Sequence, residues 1–219
     1  NGAEAFTWPD GGTTMFRGEK NTQWEGGFRV PAAIRWPGVI KPGTLINDIA
    51  AHEDMIPTLL AAAGDTTVKE DLLKGRKVGD QTFKVHLDGY NLIPALKGGG
   101  EWPRKEFIYW TDDGSVAALR YNNWKVSFLR QDAIGLKVWS EPFVELRMPL
   151  VENLRMDPFE RAADEGMGYT QWMADRMFTF APAGAYVAQW LQSFREFPPR
   201  QKPGSFSLDR VMEAVTKQQ

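Results

Sequence analysis

Short apolar runs separated by glycine, proline and asparagine breaks organise most of the chain, and their spacing predicts the elements. Arg29–Trp36 (RVPAAIRW) is an apolar run closed by Pro37-Gly38, which predicts a buried strand followed by a turn. Residues 45–51 (LINDIAA) form a second candidate strand. HEDMIPTLLAAAG predicts a helix: Glu53 and Asp54 suit the positive end of its dipole, Pro57 fits only near its first turn, and Gly64 stands where a C′ residue belongs. Strand, turn, strand and helix in this order point to α/β layers. Residues 65–105 are polar and rich in Gly and Lys, apart from the apolar NLIPALKG, and GGGEWPR at 98–104 marks a boundary. Beyond it EFIYW, SVAALRY and WKVSFLR are separated by Asp112-Asp113-Gly114 and Asn122-Asn123, residues that tolerate the positive φ of tight turns. They predict a three-stranded antiparallel meander with room for a fourth strand. Ala183–Phe197 spaces Tyr186, Trp190 and Phe194 four apart, the stripe of an amphipathic helix, and Pro198-Pro199 ends it. Ser207 suits the N-cap of a final helix, LDRVMEAVTK. The chain has no internal repeat.

Residues 1–28 break this rhythm. They hold glycines and polar residues without a period, and a long irregular segment in a compact domain is usually functional or disordered. The aromatic residues Trp8, Phe16 and Trp24 favour order. Composition narrows the function classes. The 219 residues are 42% apolar and 25% charged, an ordinary globular mixture with length for one large domain or two small ones. A formal net charge of −2, with no basic stripe, gives no footprint for nucleic acid or an anionic membrane. No apolar run approaches a membrane-spanning length. The absence of cysteine excludes disulfides, thiolate metal sites and a cysteine nucleophile within these residues.

Most candidate chemistry is weak. The two histidines, His52 and His86, lie far apart, and neither HxxxH nor HxH spacing occurs. No GxSxG elbow and no GxxxxGKS phosphate loop is present. Asp112/Asp113 and Glu53/Asp54 occupy a turn and a helix start, where acids serve structure. The exception is FRGEKNTQWEGGFRVP at 16–31. Lys20 is a compact cation suited to a tetrahedral oxyanion, and Gly18, Gly26 and Gly27 permit close backbone approach. From local chemistry alone, a solvated loop with ordinary surface charges is the better explanation of the stretch, and ligand binding the weaker one.

The stretch FRGEKNTQWEGGFRVPAAIRWPGVIKPG resembles, nearly position for position, the C-terminal half of type I sulfatases, particularly the bacterial arylsulfatase-like members. The opening Asn-Gly is similar to the end of that family's Asp-Asn-Gly segment. HEDMIPTLLAAAG is similar to its D-x-x-PT-L segment, HLDGYNLIPALKG to its D-G-x-x-L-x-P-L-x-G segment, and NLRMDPFERAAD to the segment after its C-terminal sheet. The resemblance implies a partial alkaline-phosphatase-like α/β layer over 1–100, followed by a C-terminal antiparallel sheet with packing helices over 101–219. It implies hydrolysis of aryl or carbohydrate sulfate monoesters, with a formylglycine nucleophile and a Ca²⁺ or Mg²⁺ ion held by oxygen ligands. Carried onto this sequence, Asn1 is the metal-ligand asparagine and Lys20 is the catalytic lysine that contacts the substrate sulfate.

The chain departs from the family pattern in lacking a C/S-x-P-x-R motif, the paired N-terminal aspartates and the upstream catalytic His and Lys. The expectation is therefore a C-terminal portion, silent and without bound metal on its own, completed by an N-terminal sulfatase half. Glu25 and Arg29 are expected to brace the loop, Trp8 and Trp24 to anchor it, and Thr13 and Thr14 are secondary candidates for a pocket wall. The resemblance also implies export to the bacterial periplasm or beyond. Two other readings stay open: a non-catalytic assembly module, self-associating through an exposed sheet edge, and part of a related phosphomonoester or phosphonate hydrolase.

Overall fold

The computed structural model describes residues 2–4, 12–209 and 212. Its first regular element is a single helical turn, α1 (Glu25–Phe28), at the end of the glycine-rich loop. A 3₁₀ turn, His52–Asp54, leads into α2 (Met55–Ala62), and the chain leaves that helix through Gly64 at φ +99°. The expected helix is thus present with its expected stop. Asp54 is fully buried at its start: its carboxylate accepts from the Ala51 amide at 2.9 Å and from Arg104 Nε and Nη2 at 2.8 and 2.6 Å. That two-pronged pair, together with the Trp102 indole donating to the Ile49 carbonyl at 2.6 Å, joins the segments on either side of residue 100.

Residues 65–105 are more regular than their composition suggests. They hold α3 (Val68–Lys74), the hairpin β1 (Arg76–Val78) and β2 (Gln81–Phe83), and α4 (Ile93–Leu96). Glu70 and Asp71 in the first turn of α3 and Lys74 in its last complement the helix dipole, a signal that the polar composition hides. The expected strands at 29–36 and 45–51 do not form among the described residues; both stretches are irregular and largely exposed. A strand exists only by hydrogen bonding to a neighbour, and none lies beside either stretch. Val30, Ile34, Leu45 and Ile46 consequently face solvent, as do Ile56 and Leu59 on α2.

The meander forms with its fourth strand: β3 (Glu106–Trp110), β4 (Val116–Tyr121), β5 (Trp124–Arg130) and β6 (Val144–Asn153) pair antiparallel in chain order. Asn122 takes φ +51° at the β4–β5 turn, the conformation that the Asn-Asn pair predicts. After the short helices α5 (Ala162–Glu165) and α6 (Tyr169–Ala174), α7 (Phe180–Leu191) and a 3₁₀ turn to Arg195 supply the expected amphipathic helix. Of the expected final helix, 208, 209 and 212 are described, and they are helical.

Strand register gives the sheet two unlike faces, because directly opposed residues point the same way. Ile108, Leu119, Val126 and Val151 are aligned on one face, and α7 covers it with Ala183, Tyr186, Val187 and Trp190. Phe107, Arg120, Lys125 and Glu152 form a row on the other face, with Tyr109, Ala118, Ser127 and Leu150 in the next. That second face mixes buried charges with apolar residues, and the loop ending in α1 lies over it, Phe28 packing on Phe107 and Tyr109.

Candidate functional site

The loop from Phe16 to Phe28 is wound on itself by short backbone bonds. The Gly26 amide donates to the Arg17 carbonyl at 2.6 Å, and both the amide and hydroxyl of Thr22 donate to the Glu19 carbonyl. Gly18 sits at φ +77°, and a Cβ at Gly26 would meet the Gly18 carbonyl oxygen at 2.4 Å, so both positions require glycine. Trp24 anchors the loop as expected. It is 1% exposed, its indole donates to the Gln131 carbonyl at 2.9 Å, and the Arg17 guanidinium lies 3.7 Å over its ring.

The underside of this loop docks on the second sheet face through buried charges beside the Phe28 contact. Glu25 accepts from Tyr109 Oη and from Arg120 Nη1, the latter at 2.8 Å. Lys125, with no exposed surface, donates 2.6 Å bonds to the Gln23 carbonyl and to Glu160 Oε1, with Glu25 Oε1 at 3.5 Å. Glu160 Oε2 accepts the Glu25 amide at 2.7 Å. Glu160 itself adopts φ +54°, and its carbonyl accepts Arg17 Nη1 at 2.7 Å. Burial pushes the Glu25 carboxyl upward, but Lys125 and Arg120 together outweigh it and hold the group below its ordinary value. For Glu152, opposite Lys125 in register, burial and the neighbouring Glu160 charge win, and its pKa rises to about 8. Both of its carboxyl oxygens, Gln23 Nε2 and Ser127 Oγ are buried without a hydrogen-bond partner. The expectation that Glu25 and Arg29 brace the loop holds: the Arg29 amide donates to the Glu25 carbonyl at 2.6 Å, and the Arg29 guanidinium lies 4.2 Å over the Phe16 ring.

Lys20 occupies the outer surface of the same loop. Its side chain is about a third exposed, with Nζ 3.0 Å from Glu4 Oε1 and 5.6 Å from the Trp139 ring centroid. Two backbone bonds strap the start of the chain beside it: the Gly2 amide donates to the Gly27 carbonyl at 2.7 Å and the Lys20 amide to the Ala3 carbonyl at 3.0 Å. Asn1 and Trp8 lie outside the described residues. Thr13 and Thr14 are exposed, and His52 is exposed at the start of its 3₁₀ turn. His86 is held by Asp88 at 3.1 Å and packs against the Phe197 ring. A cleft bordered by Glu53, Arg104, Trp110 and Trp190 contains none of the expected site residues. Among the described residues no three His, Asp or Glu side chains converge in a way that would hold a metal ion, and no helix is long and apolar enough to cross a membrane.

The sulfatase family profile matches residues 1–65, which include the Lys20 loop and α2. Arylsulfatase A of Bos taurus is 28% identical over 197 residues, covering 88% of this chain and 35% of that protein. Arylsulfatase A of Homo sapiens is 30% identical, covering 73% of this chain and 31% of that protein. In structure, the PsFucS1 sulfatase from Pseudoalteromonas sp. superposes with a TM-score of 0.70 at 25% identity, over 90% of this chain and 36% of the other. The chain is a relative of the type I sulfatases. The likeness extends beyond the matched 65 residues, since the structural superposition covers 90% of the chain. This sulfatase relative spans about a third of the length of the known relatives it matches. Sequence reasoning did not single out Lys125, Glu152 or Glu160 in it; the one available signal was acid and lysine at alternate positions of strands that also carry apolar residues.

Proposed function

We propose that this chain is the C-terminal part of a sulfate monoester hydrolase and supplies Lys20 to bind the substrate sulfate. The observation that carries the reading is the pair of backbone bonds joining residues 2 and 3 to Gly27 and Lys20. They tie together the two segments that the resemblance assigns to metal and sulfate. The Lys20 ammonium presents three donors on a half-open surface, and Glu4 occupies one of its sides. A sulfate entering here meets a fixed cation that offsets charge on its nonbridging oxygens as the ester bond breaks. Glu4 competes for the same ammonium.

The cation expected in such a site does not fit the described residues alone, which offer no cage of carboxylates. Asn1 is proposed as one amide-oxygen ligand, with Ca²⁺ or Mg²⁺, the formylglycine nucleophile and the other ligands belonging to a preceding half. No step in this chain runs through the ion. The division into 1–100 and 101–219 and an exported location belong to the same proposal.

In the longer enzyme, Lys20→Ala should raise KM and lower kcat for 4-nitrophenyl sulfate, reducing kcat/KM by about a hundred-fold, with the isolated chain as the inactive blank. Lys20→Arg should recover only part, because the planar guanidinium replaces a point charge. Unchanged kinetics for Lys20→Ala, or turnover by the isolated chain, overturns the reading.

The exposed Val30, Ile34, Leu45, Ile46, Ile56 and Leu59 support a second reading, an assembly module whose apolar layer is covered by another copy. Sedimentation of the chain separates the two. Self-association through this layer, abolished by Leu45→Glu, favours assembly, and a clean monomer removes it.

A further inference from the structure

Trp139 lies beside Lys20 because two loops are clamped together, and the clamp has four points. The Gly135 amide donates to Glu19 Oε1 at 2.8 Å, and Asn21 Nδ2 donates to the Val138 carbonyl at 2.6 Å. Farther along, the Trp24 indole donates to the Gln131 carbonyl at 2.9 Å, and the Gln131 amide donates to Gln23 Oε1 at 2.8 Å. Glu19, Asn21, Gln23 and Trp24 bracket Lys20 on one loop, while Gln131, Gly135 and Val138 belong to the other. Val138 is fully buried, so the 3₁₀ turn Gly135–Trp139 is pinned next to the ring it carries.

The turn nevertheless exposes its apolar side chains. Trp139 is 46% exposed, and Ile134 and Leu136, on either side of Gly135, are 77% and 67% exposed. The Trp139 ring centroid is 5.6 Å from the Lys20 ammonium, so a group esterified to a sulfate on Lys20 comes within reach of the ring.

We infer that Trp139 is a specificity-determining residue, a platform on which the flat ring carried by a sulfate ester stacks while Lys20 holds the sulfate. The inference rests on the proposed role of Lys20 and adds the residue that recognises the alcohol of the ester, through a planar apolar face that an aryl ring or the C–H face of a sugar can present. Aromatic stacking of this kind favours ring-bearing over ringless esters by about three- to ten-fold.

The test compares 4-nitrophenyl sulfate, galactose 6-sulfate and methyl sulfate in the longer enzyme, for the parent, Trp139→Ala, Trp139→Phe and Lys20→Ala. Trp139→Ala should raise KM for one or both ring-bearing esters and leave methyl sulfate unchanged, and Trp139→Phe should restore most of the loss. A loss with 4-nitrophenyl sulfate alone identifies an aryl platform, and a loss with galactose 6-sulfate identifies a sugar platform. Equal effects on all three esters, or none on any, overturns the inference. Lys20→Ala should weaken all three alike. If it does not, the sulfate-binding reading fails separately, since ring selectivity at Trp139 is read from the other variant.

Discussion

Replacing Lys125 by methionine should lower the free energy of unfolding by about 3–5 kcal/mol, measured by urea denaturation followed through tryptophan fluorescence. Lys125 has no exposed surface and joins three acceptors: the Gln23 carbonyl, Glu160 Oε1 and, at 3.5 Å, Glu25 Oε1. Burial favours the neutral amine, yet Glu160, Glu25 and Glu152 together outweigh it and leave the pKa above its ordinary value. Methionine fills most of the volume and leaves Glu160 and Glu25 as buried charges with one fewer cation, while the Gln23 carbonyl loses its donor. Arg120 still pairs with Glu25, so the uncompensated charge falls mainly on Glu160. The double variant Lys125→Met/Glu160→Gln should therefore recover a large part of the loss, because removing both members of a buried pair costs less than stranding one. A loss below about 1 kcal/mol in the single variant, or no recovery in the double, means that this network does not hold the loop to the sheet.

The meander and its turns were legible because tight β-turns and amphipathic strands write local signals. Asp112-Asp113-Gly114 and Asn122-Asn123 bracket strands of the expected length, and Asn122 takes the expected positive φ. The α7 stripe was legible for the same reason: Tyr186 and Trp190 do pack on Ile108, Leu119 and Val126. The strands at 29–36 and 45–51 failed because apolar content specifies burial, whereas a strand also needs a partner backbone, and that requirement is not local. Helix α3 and the β1–β2 hairpin were hidden by polar composition, since both lie mostly at the surface.

Site legibility divides along the same line. The glycine hinge, the Trp24 anchor and the bracing role of Glu25 follow from residue types in one short stretch, and the geometry bears them out. Lys125, Glu152 and Glu160 lie a hundred or more residues beyond Gln23 and Glu25, and strand register, with the turn that follows β6, brings them under the loop. Alternation in WKVSFLR puts Lys125 and Ser127 on the face a strand usually turns to water, and nothing within that segment reveals that another loop covers it. The Trp139 clamp was equally hidden, because its hydrogen bonds join residues separated by more than a hundred positions.

Glu152→Gln should flatten the pH dependence of stability and raise the melting temperature at pH 9 while changing it little at pH 5. Glu152 has both carboxyl oxygens buried without a partner, and burial followed by the Glu160 charge lifts its pKa from the ordinary 4.5 to about 8. The groups acting on it are Lys125 on β5, Glu160 and Asp157 on the segment after β6, and Arg17 on the loop; Lys125 and Arg17 pull the pKa down without prevailing. Between pH 4.5 and 8 the folded chain holds one proton that the unfolded chain has released. Stability from this group is thus complete below the unfolded value and is lost as pH rises through the folded one, at about 1.4 kcal/mol per unit and a few kcal/mol in all. Glu160 is raised too, by burial, and adds to the same slope, whereas Glu25 is held down and opposes it only under acid conditions. Glutamine mimics the protonated acid in shape and charge, so it removes the alkaline penalty and preserves the packing. Parallel curves for parent and variant from pH 5 to pH 9 would mean that Glu152 stays ionised in the folded chain, held by Lys125 and Arg17.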